Sequence, residues 1–221
     1  MKREKRRSNK NNLMDIPNQI YSLITSDDLK KRLEKINANY SNLKQEGLIR
    51  NAILELYNEK YADEQYRAFA EHPRNNGEDK RKSNSRVDLS ITNLKSLNEE
   101  EESNTYNIEL KYHFPKHRKN FSDYKQSIVS EFKDRKSDMF ILIVADWNPK
   151  EKKEFDNKWN IKTNLSKYLS NDNNWEQNLQ DCFNKAICEL TDYKSDLMEI
   201  VKIQVKEPYL TKYHFYILKK K

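Results

Sequence analysis

The hydrophobic and polar positions along this chain follow two periods, and each period predicts one type of element. Apolar residues three or four positions apart are typical of amphipathic helices, whereas alternating or short continuous apolar runs are typical of strands. Helices are predicted at about 25–40, 42–61, 121–134 and 175–190. Strands are predicted at about 65–71, 86–91, 106–112, 139–145, 200–206 and 212–218.

The strand predicted at 139–145 indicates the fold class. It reads Met-Phe-Ile-Leu-Ile-Val-Ala, as expected for a central strand that is buried on both faces. A helix, three strands, a second helix and this strand follow one another, which predicts an α/β fold with a mixed central β-sheet flanked by helices. The length of 221 residues suits a single domain at 13–221. The basic segment at 1–12 is predicted to be a disordered arm or an arm that contacts DNA.

The charge balance favours a polyanionic partner. Lys and Arg number 42 against 35 Asp and Glu, which gives a net charge of +7. Nucleic acid fits this balance, although a lysine-rich chain can also simply be a soluble one. The two cysteines, Cys182 and Cys188, form neither a disulfide framework nor a zinc pattern. No apolar run approaches the roughly 18 residues of a membrane span and no signal segment is evident, so we expect a cytoplasmic protein that does not enter a membrane.

Two neighbouring predicted strands carry the clearest candidate chemistry. The first reads Arg-Val-Asp-Leu-Ser-Ile and carries Asp88, and the second reads Tyr-Asn-Ile-Glu-Leu-Lys-Tyr and carries Glu109 and Lys111. Residues i and i+2 of a strand project from the same face, so Glu109 and Lys111 point together and Asp88 can approach them from the next strand. Two carboxylates and the backbone carbonyl of Leu110 suit a Mg²⁺ ion, and the lysine can orient or deprotonate an attacking water.

The Glu-x-Lys spacing is common in this chain and has meaning only in context. An acid followed two positions later by lysine occurs nine times. The match at Glu109 lies in an alternating segment that directly follows another strand bearing Asp88, whereas the others lie in predicted helices or loops. A cross-strand ion pair at the sheet surface is the alternative interpretation of these side chains.

The helix predicted at 42–61 adds a further carboxylate. Its apolar stripe centres near Ile53, and Glu46 falls within about 40° of that centre at about 100° per residue. Glu55 and Glu59 fall about 140° and 100° away. A carboxylate on an apolar face requires a partner such as a metal or an arginine. Glu46 is therefore either a member of the site or a boundary residue satisfied by its neighbours.

This arrangement resembles the PD-(D/E)XK phosphodiesterase superfamily, which includes many restriction endonucleases and Holliday-junction resolvases. The resemblance covers about residues 42–146 and implies a restriction endonuclease-like core. It implies that Asp88 and Glu109 are metal ligands. It also implies that Lys111 is the catalytic lysine and that Glu46 is the acid of the preceding helix. The implied cofactor is Mg²⁺, with Mn²⁺ as a substitute.

Other residues gain expected DNA-binding roles from the same resemblance. Arg50 follows Glu46 by one turn, as a basic residue does in some members, and Gln126 corresponds to a glutamine that some members use near the site. The basic connection after the second strand is either a phosphate clamp or a solvated loop. It comprises Lys116, His117, Arg118 and Lys119. Val87 stands where a proline precedes the metal-binding acid in the family pattern, and the loop between the two strands is long and acidic, so the subfamily stays open.

The implied function is Mg²⁺-dependent cleavage of double-stranded DNA to 5′-phosphate and 3′-hydroxyl ends. A type II restriction enzyme fits the size and the single catalytic domain, and cutting both strands implies a homodimer. The predicted helix and hairpin at 174–219 are candidates for target recognition or dimerisation. Alternatives are a structure-specific or repair nuclease, a non-catalytic DNA-binding module on the same scaffold, and a structural protein without nucleic acid. RNA is not excluded as the substrate.

Overall fold

The structure is a computed structural model, and it describes most of the chain. The described residues are 15–41, 44–73, 86–94, 105–115, 121–133, 135–170, 172–190 and 195–220. The arm predicted at 1–12 lies outside these ranges.

The described residues form six helices and six strands, together with a short 3₁₀ turn at Leu165–Lys167. The helices are α1 (15–24), α2 (Asp27–Asn39), α3 (Glu46–Lys60), α4 (Phe121–Lys133), α5 (Pro149–Lys158) and α6 (Trp175–Glu189). The strands are β1 (Tyr66–Pro73), β2 (Arg86–Asn93), β3 (Thr105–His113), β4 (Met139–Trp147), β5 (Ser195–Val205) and β6 (Thr211–Lys220).

The described strands form one six-stranded sheet in the order β1-β2-β3-β4-β6-β5. Strands β3 and β4 are parallel and are joined by a crossover that contains α4, whereas the other neighbours are antiparallel. The prediction of a mixed α/β sheet flanked by helices is therefore confirmed. The order α3-β1-β2-β3-α4-β4 also brings the two acid-bearing strands, β2 and β3, side by side.

The sheet is covered on both faces. Helices α1, α2 and α3 pack on one face, where they meet residues such as Leu110 and Ile141. Helices α4 and α6 pack on the other face, against residues such as Phe140 and Leu142. Strand β4 contributes alternate residues to both cores, so the prediction that 139–145 is buried on both faces is confirmed.

Two described helices were not among the predicted elements, and one predicted helix begins later than expected. Helix α1 presents an i, i+4, i+7, i+8 set of buried aliphatic residues. Helix α5 begins with Asn148 as its N-cap and Pro149 in its first turn, which is a recognisable helix start. Helix α3 begins at Glu46 rather than near 42, with Gln45 as its N-cap.

The C-terminal elements complete the core. Strand β6 lies between β4 and β5, and α6 packs against α4. The described residues of the segment 174–219 therefore belong to the sheet and to the cores on both of its faces. The expected role of this segment in recognition or dimerisation stays a prediction. In the part of the chain that the structure describes, every helix is too short or too polar to cross a membrane.

His214 of β6 is buried beneath α6. Its ring meets that of Trp175 edge-on, with 5.1 Å between the ring centroids. Burial lowers the pKa of His214 from its ordinary value of 6.5 to about 4. Within this net shift, Glu176 opposes the lowering of the pKa, whereas Lys202 and Lys212 contribute to it. The neutral imidazole is thus the form that the folded protein favours.

We expect the protein to lose stability as the pH falls from about 6.5 to about 4. The unfolded chain takes up a proton near the upper value, whereas folded His214 stays neutral until the lower one, so unfolding binds a proton throughout this window. The loss is on the order of 1–3 kcal/mol. Urea unfolding at fixed pH values should show a shallower pH dependence for His214→Leu than for the wild type. Equal slopes for the two proteins would show that another group is responsible.

Candidate active site

Asp88 lies just beyond the paired part of β2 and β3. The register of these strands ends at Leu89 and Ile108, and continuing it by one residue places Asp88 across from Glu109. There Asp88 Oδ2 accepts a hydrogen bond from the backbone N–H of Leu110, at 2.9 Å. The N–H and C=O of a strand residue point toward the same neighbouring strand. The Leu110 carbonyl therefore shares the strand edge that Asp88 occupies.

The other neighbour of β2 is also irregular at this point. The register of β1 with β2 passes from Ala70–Leu89 to His72–Val87, and Glu71 falls opposite Asp88 between these pairs. Glu71 has a φ of 52°, a left-handed conformation that is unusual for a residue other than glycine. Such conformations cost about 1–3 kcal/mol and often occur near functional sites. Asp88 thus lies where β2 departs from regular pairing on both sides.

Arg50 of α3 forms an ion pair with Glu71. The Arg50 side chain is 16% exposed, and its guanidinium also donates to the side-chain oxygen of Asn51. Arg50 was expected to contact DNA, and in this structure it supports the irregular residue opposite Asp88. The DNA contact stays a prediction.

Glu46 lies at the same edge of β3. Its Oε2 atom accepts a hydrogen bond from the backbone N–H of Tyr112, at 2.6 Å, and lies 3.1 Å from Lys44 Nζ. Tyr112 follows Leu110 by two residues, so the two N–H groups face the same way. The backbone N–H groups of Leu110 and Tyr112, on the same edge of β3, thus donate hydrogen bonds to the carboxylates of Asp88 and Glu46. Helix α3 and strand β2 therefore meet at this edge.

The orientation of Glu46 agrees with the helical wheel. Its side chain is 25% exposed, whereas those of Glu55 and Glu59 are each 57% exposed and pair with Arg32. The prediction that Glu46 is the inward-facing acid of this helix is therefore confirmed. Its role in a reaction stays a prediction.

Gln45 fixes the start of α3. Its side chain is buried, and its Oε1 atom accepts hydrogen bonds from the hydroxyls of Tyr213, at 2.6 Å, and Tyr112, at 3.4 Å. Burial raises the pKa of both tyrosines, so the hydroxyls remain donors at neutral pH. This contact attaches the helix to β3 and β6, and it holds the adjacent Glu46 against the strand edge.

Glu109 and Lys111 project from the opposite face of β3 to Leu110, toward α4. Glu109 is only 1% exposed, and its Oε2 atom lies 3.4 Å from Arg135 Nη1. Lys111 is 31% exposed, and its Nζ atom lies 3.9 Å from Oε1 of Glu131 on α4. The predicted same-face placement of Glu109 and Lys111 is present, and strand alternation also puts Asp88 on this face of the sheet.

The donor set of the predicted metal site suits a hard divalent cation. Mg²⁺ binds oxygen, keeps several waters and requires only one or two carboxylates, which Asp88 and Glu109 supply beside the Leu110 carbonyl. Within the described residues, no group of three or more His, Cys, Asp or Glu side chains is arranged to hold a metal. Two carboxylates and a carbonyl would leave the other coordination positions of such an ion to water and substrate.

Two residues beside this site were not expected from the sequence. Arg135 contacts both Glu109 and Glu131, at 3.4 Å in each case. Glu131 is buried on α4 beside Phe132. On a helical wheel it lies about 80° from the centre of the apolar stripe of α4, so the argument that identified Glu46 does not identify Glu131. Arg135 follows the helix in a connection, where periodicity carries no signal.

The remaining predicted contacts lie farther along the chain. Gln126 is exposed on α4. It precedes Glu131 by five residues, which places it about 140° round the helix from the residue that faces β3. The expected phosphate contacts at 116–119 lie outside the described residues. The roles given to these residues stay predictions.

A scan of known protein-family models finds none that matches this chain, and a search of curated proteins finds no match either. The geometry of β2, β3 and the helices that contact them is therefore the basis for assigning a function.

Proposed function

We propose that the protein is a metal-dependent hydrolase of phosphodiester bonds. The observation that carries this proposal is the placement of two carboxylates and a lysine on one face of adjacent strands, at the point where those strands separate. Asp88 and Glu109 supply the carboxylates and Lys111 the amine. Where β2 and β3 separate, the backbone N–H of Leu110 donates a hydrogen bond to the Asp88 carboxylate.

Its substrate in this proposal is double-stranded DNA, and the enzyme is a type II restriction endonuclease. The order helix, three strands, helix and strand supports this class, because it is the order expected of the PD-(D/E)XK superfamily. The net charge of +7 supports a polyanionic substrate. Cleavage of both strands requires two sites, so the active form is a homodimer with one site per strand.

Each residue has a role in this reaction. Asp88, Glu109 and the Leu110 carbonyl would hold Mg²⁺, which would supply electrophilic activation of the phosphate and of the attacking water. Lys111 donates hydrogen bonds to that water or to a phosphate oxygen and offsets the charge that develops there. Water adds to phosphorus as the bond to the 3′ oxygen breaks, the attacking water loses a proton and the leaving 3′ oxygen gains one. The products are a 5′-phosphate and a 3′-hydroxyl.

Supercoiled plasmid DNA offers the direct test. Incubation with Mg²⁺ or Mn²⁺ should convert the plasmid into linear fragments, and EDTA should prevent the conversion. Mapping of the fragment ends then gives the sites and the end chemistry. Scattered nicking at branched or damaged DNA would instead indicate a structure-specific or repair nuclease, and cleavage of RNA in a parallel reaction would change the substrate. Absence of cleavage under all of these conditions would refute the proposal.

A non-catalytic DNA-binding module is the second candidate. It is favoured by one contact, the Arg135 guanidinium beside Glu109, because a guanidinium fixed there takes the place of a metal cation. Salt-sensitive DNA binding without nicking at any Mg²⁺ or Mn²⁺ concentration would support this function.

A further inference from the structure

We propose that Glu131 is a positioning residue that holds the ammonium of Lys111 in place for the reaction. The role in the reaction rests on the proposed function. The contact between Glu131 and Lys111 does not depend on that function, and it can be measured separately.

The carboxylate of Glu131 is fixed between two cations. Its Oε1 atom lies 3.9 Å from Lys111 Nζ, and its Oε2 atom lies 3.4 Å from Arg135 Nη1. The side chain is only 7% exposed, whereas those of Lys111 and Arg135 are 31% and 45% exposed. Glu131 is thus the buried member of the cluster, and two more exposed cations contact it.

Lys111 requires such an anchor. Its charge is carried on a flexible four-carbon stem with several rotatable bonds, and holding one geometry costs side-chain entropy. Strand β3 determines the face from which the stem leaves, but not the position of the ammonium. A contact from the neighbouring helix supplies the missing restraint, and displacing a catalytic group by about 1 Å can cost about 10²-fold in rate.

Stability alone gives little reason for this buried charge. Replacing a buried ion pair with apolar residues of similar volume is often neutral or stabilising, because a buried charge loses its hydration. Glu131 is buried on α4, whose apolar residues Ile128 and Phe132 belong to the core, and its carboxylate faces Lys111 of β3. An acid at this position gives α4 a means of orienting Lys111.

The kinetic test compares two substitutions of Glu131 on plasmid DNA at saturating Mg²⁺. Glu131→Gln is expected to lower kcat by about 10- to 100-fold with little change in KM, because the ammonium is misplaced while DNA binding is retained. Glu131→Asp keeps the charge on a shorter stem and should restore part of the rate. The matched control is Glu189→Gln, which removes an exposed ion pair between α6 and Lys125 of α4. It should cleave at the wild-type rate.

The second measurement requires no cleavage. NMR relaxation of the Lys111 ε-methylene carbon should show an ordered side chain in the wild type and a mobile one in Glu131→Gln, with Glu189→Gln resembling the wild type. Should Glu131→Gln fail to fold, Glu131→Asp carries both tests, with intermediate values expected.

The two proposals fail differently. An inactive wild type whose Lys111 is released by Glu131→Gln refutes the nuclease function but keeps the contact. An active wild type with unchanged kcat in folded Glu131→Gln, or with Lys111 equally ordered in both proteins, refutes the positioning role and leaves the nuclease intact.

Discussion

Replacing Asp88 with alanine is expected to abolish Mg²⁺-dependent DNA cleavage and to leave the protein folded. The substitution removes one of two carboxylates from the proposed metal site, and losses of about 10³-fold or more are usual for a group that stabilises the transition state directly. The structural cost is small because Asp88 is half-buried, lies beyond the paired part of β2 and β3, and makes one described hydrogen bond, to Leu110. Because its acceptor is a carboxylate, that bond is worth about 1.5–3 kcal/mol. Plasmid cleavage rates and thermal unfolding measure the two effects.

Lys111→Ala is the companion substitution and should be equally inactive. For Asp88→Ala and for Lys111→Ala, the control replaces a residue of the same type that lies on the surface of the protein. Asp181→Ala removes an exposed carboxylate of α6, and Lys125→Ala removes a partly exposed amine of α4. Both controls should cleave at wild-type rates. Activity retained by either site variant would exclude that residue from the mechanism.

The fold was largely predictable where burial follows apolar periodicity. The continuous apolar run of β4 and the alternation in β2 and β3 identified the central sheet, because these strands bury aliphatic side chains at regular positions. Helix α5 shows the limit of such patterns. Its buried residues are Lys152 and Asp156, so its inward face appears polar in the sequence.

The parts of the candidate site that follow from the periodicity of strands and helices could be predicted from the sequence. Alternation gives the shared face of Glu109 and Lys111, and the helical wheel gives the inward orientation of Glu46. The contacts of Glu131 and Arg135 depend on where α4 lies against the sheet. That placement is a tertiary property, and no local period in the sequence contains it.

Asp156→Ala is expected to destabilise the protein by about 3–5 kcal/mol. Lys152 is completely buried, and Asp156 Oδ1 is its ion-pair partner one turn along α5. The substitution removes the carboxylate that neutralises a buried ammonium. The free energy of unfolding in guanidinium chloride, measured for the wild type and the variant, tests the expected loss.

Because aromatic rings surround Lys152, the Asp156→Ala variant tests the effect of leaving its charge without the carboxylate. Its Nζ atom lies 5.0–5.7 Å from the ring centroids of Trp147, Phe155 and Tyr209, which attract a cation but do not neutralise it. Replacing the pair together, as Lys152→Met with Asp156→Leu, leaves no charge buried and should cost less than Asp156→Ala alone.

Glu154→Ala is the matched control, because Glu154 is exposed on the same helix and its loss should change stability by less than about 0.5 kcal/mol. A double variant that is less stable than Asp156→Ala would show that close packing of the lysine stem, rather than its charge, determines the stability of α5. Equal stability of Asp156→Ala and the wild type would mean that the ammonium reaches water when its partner is removed.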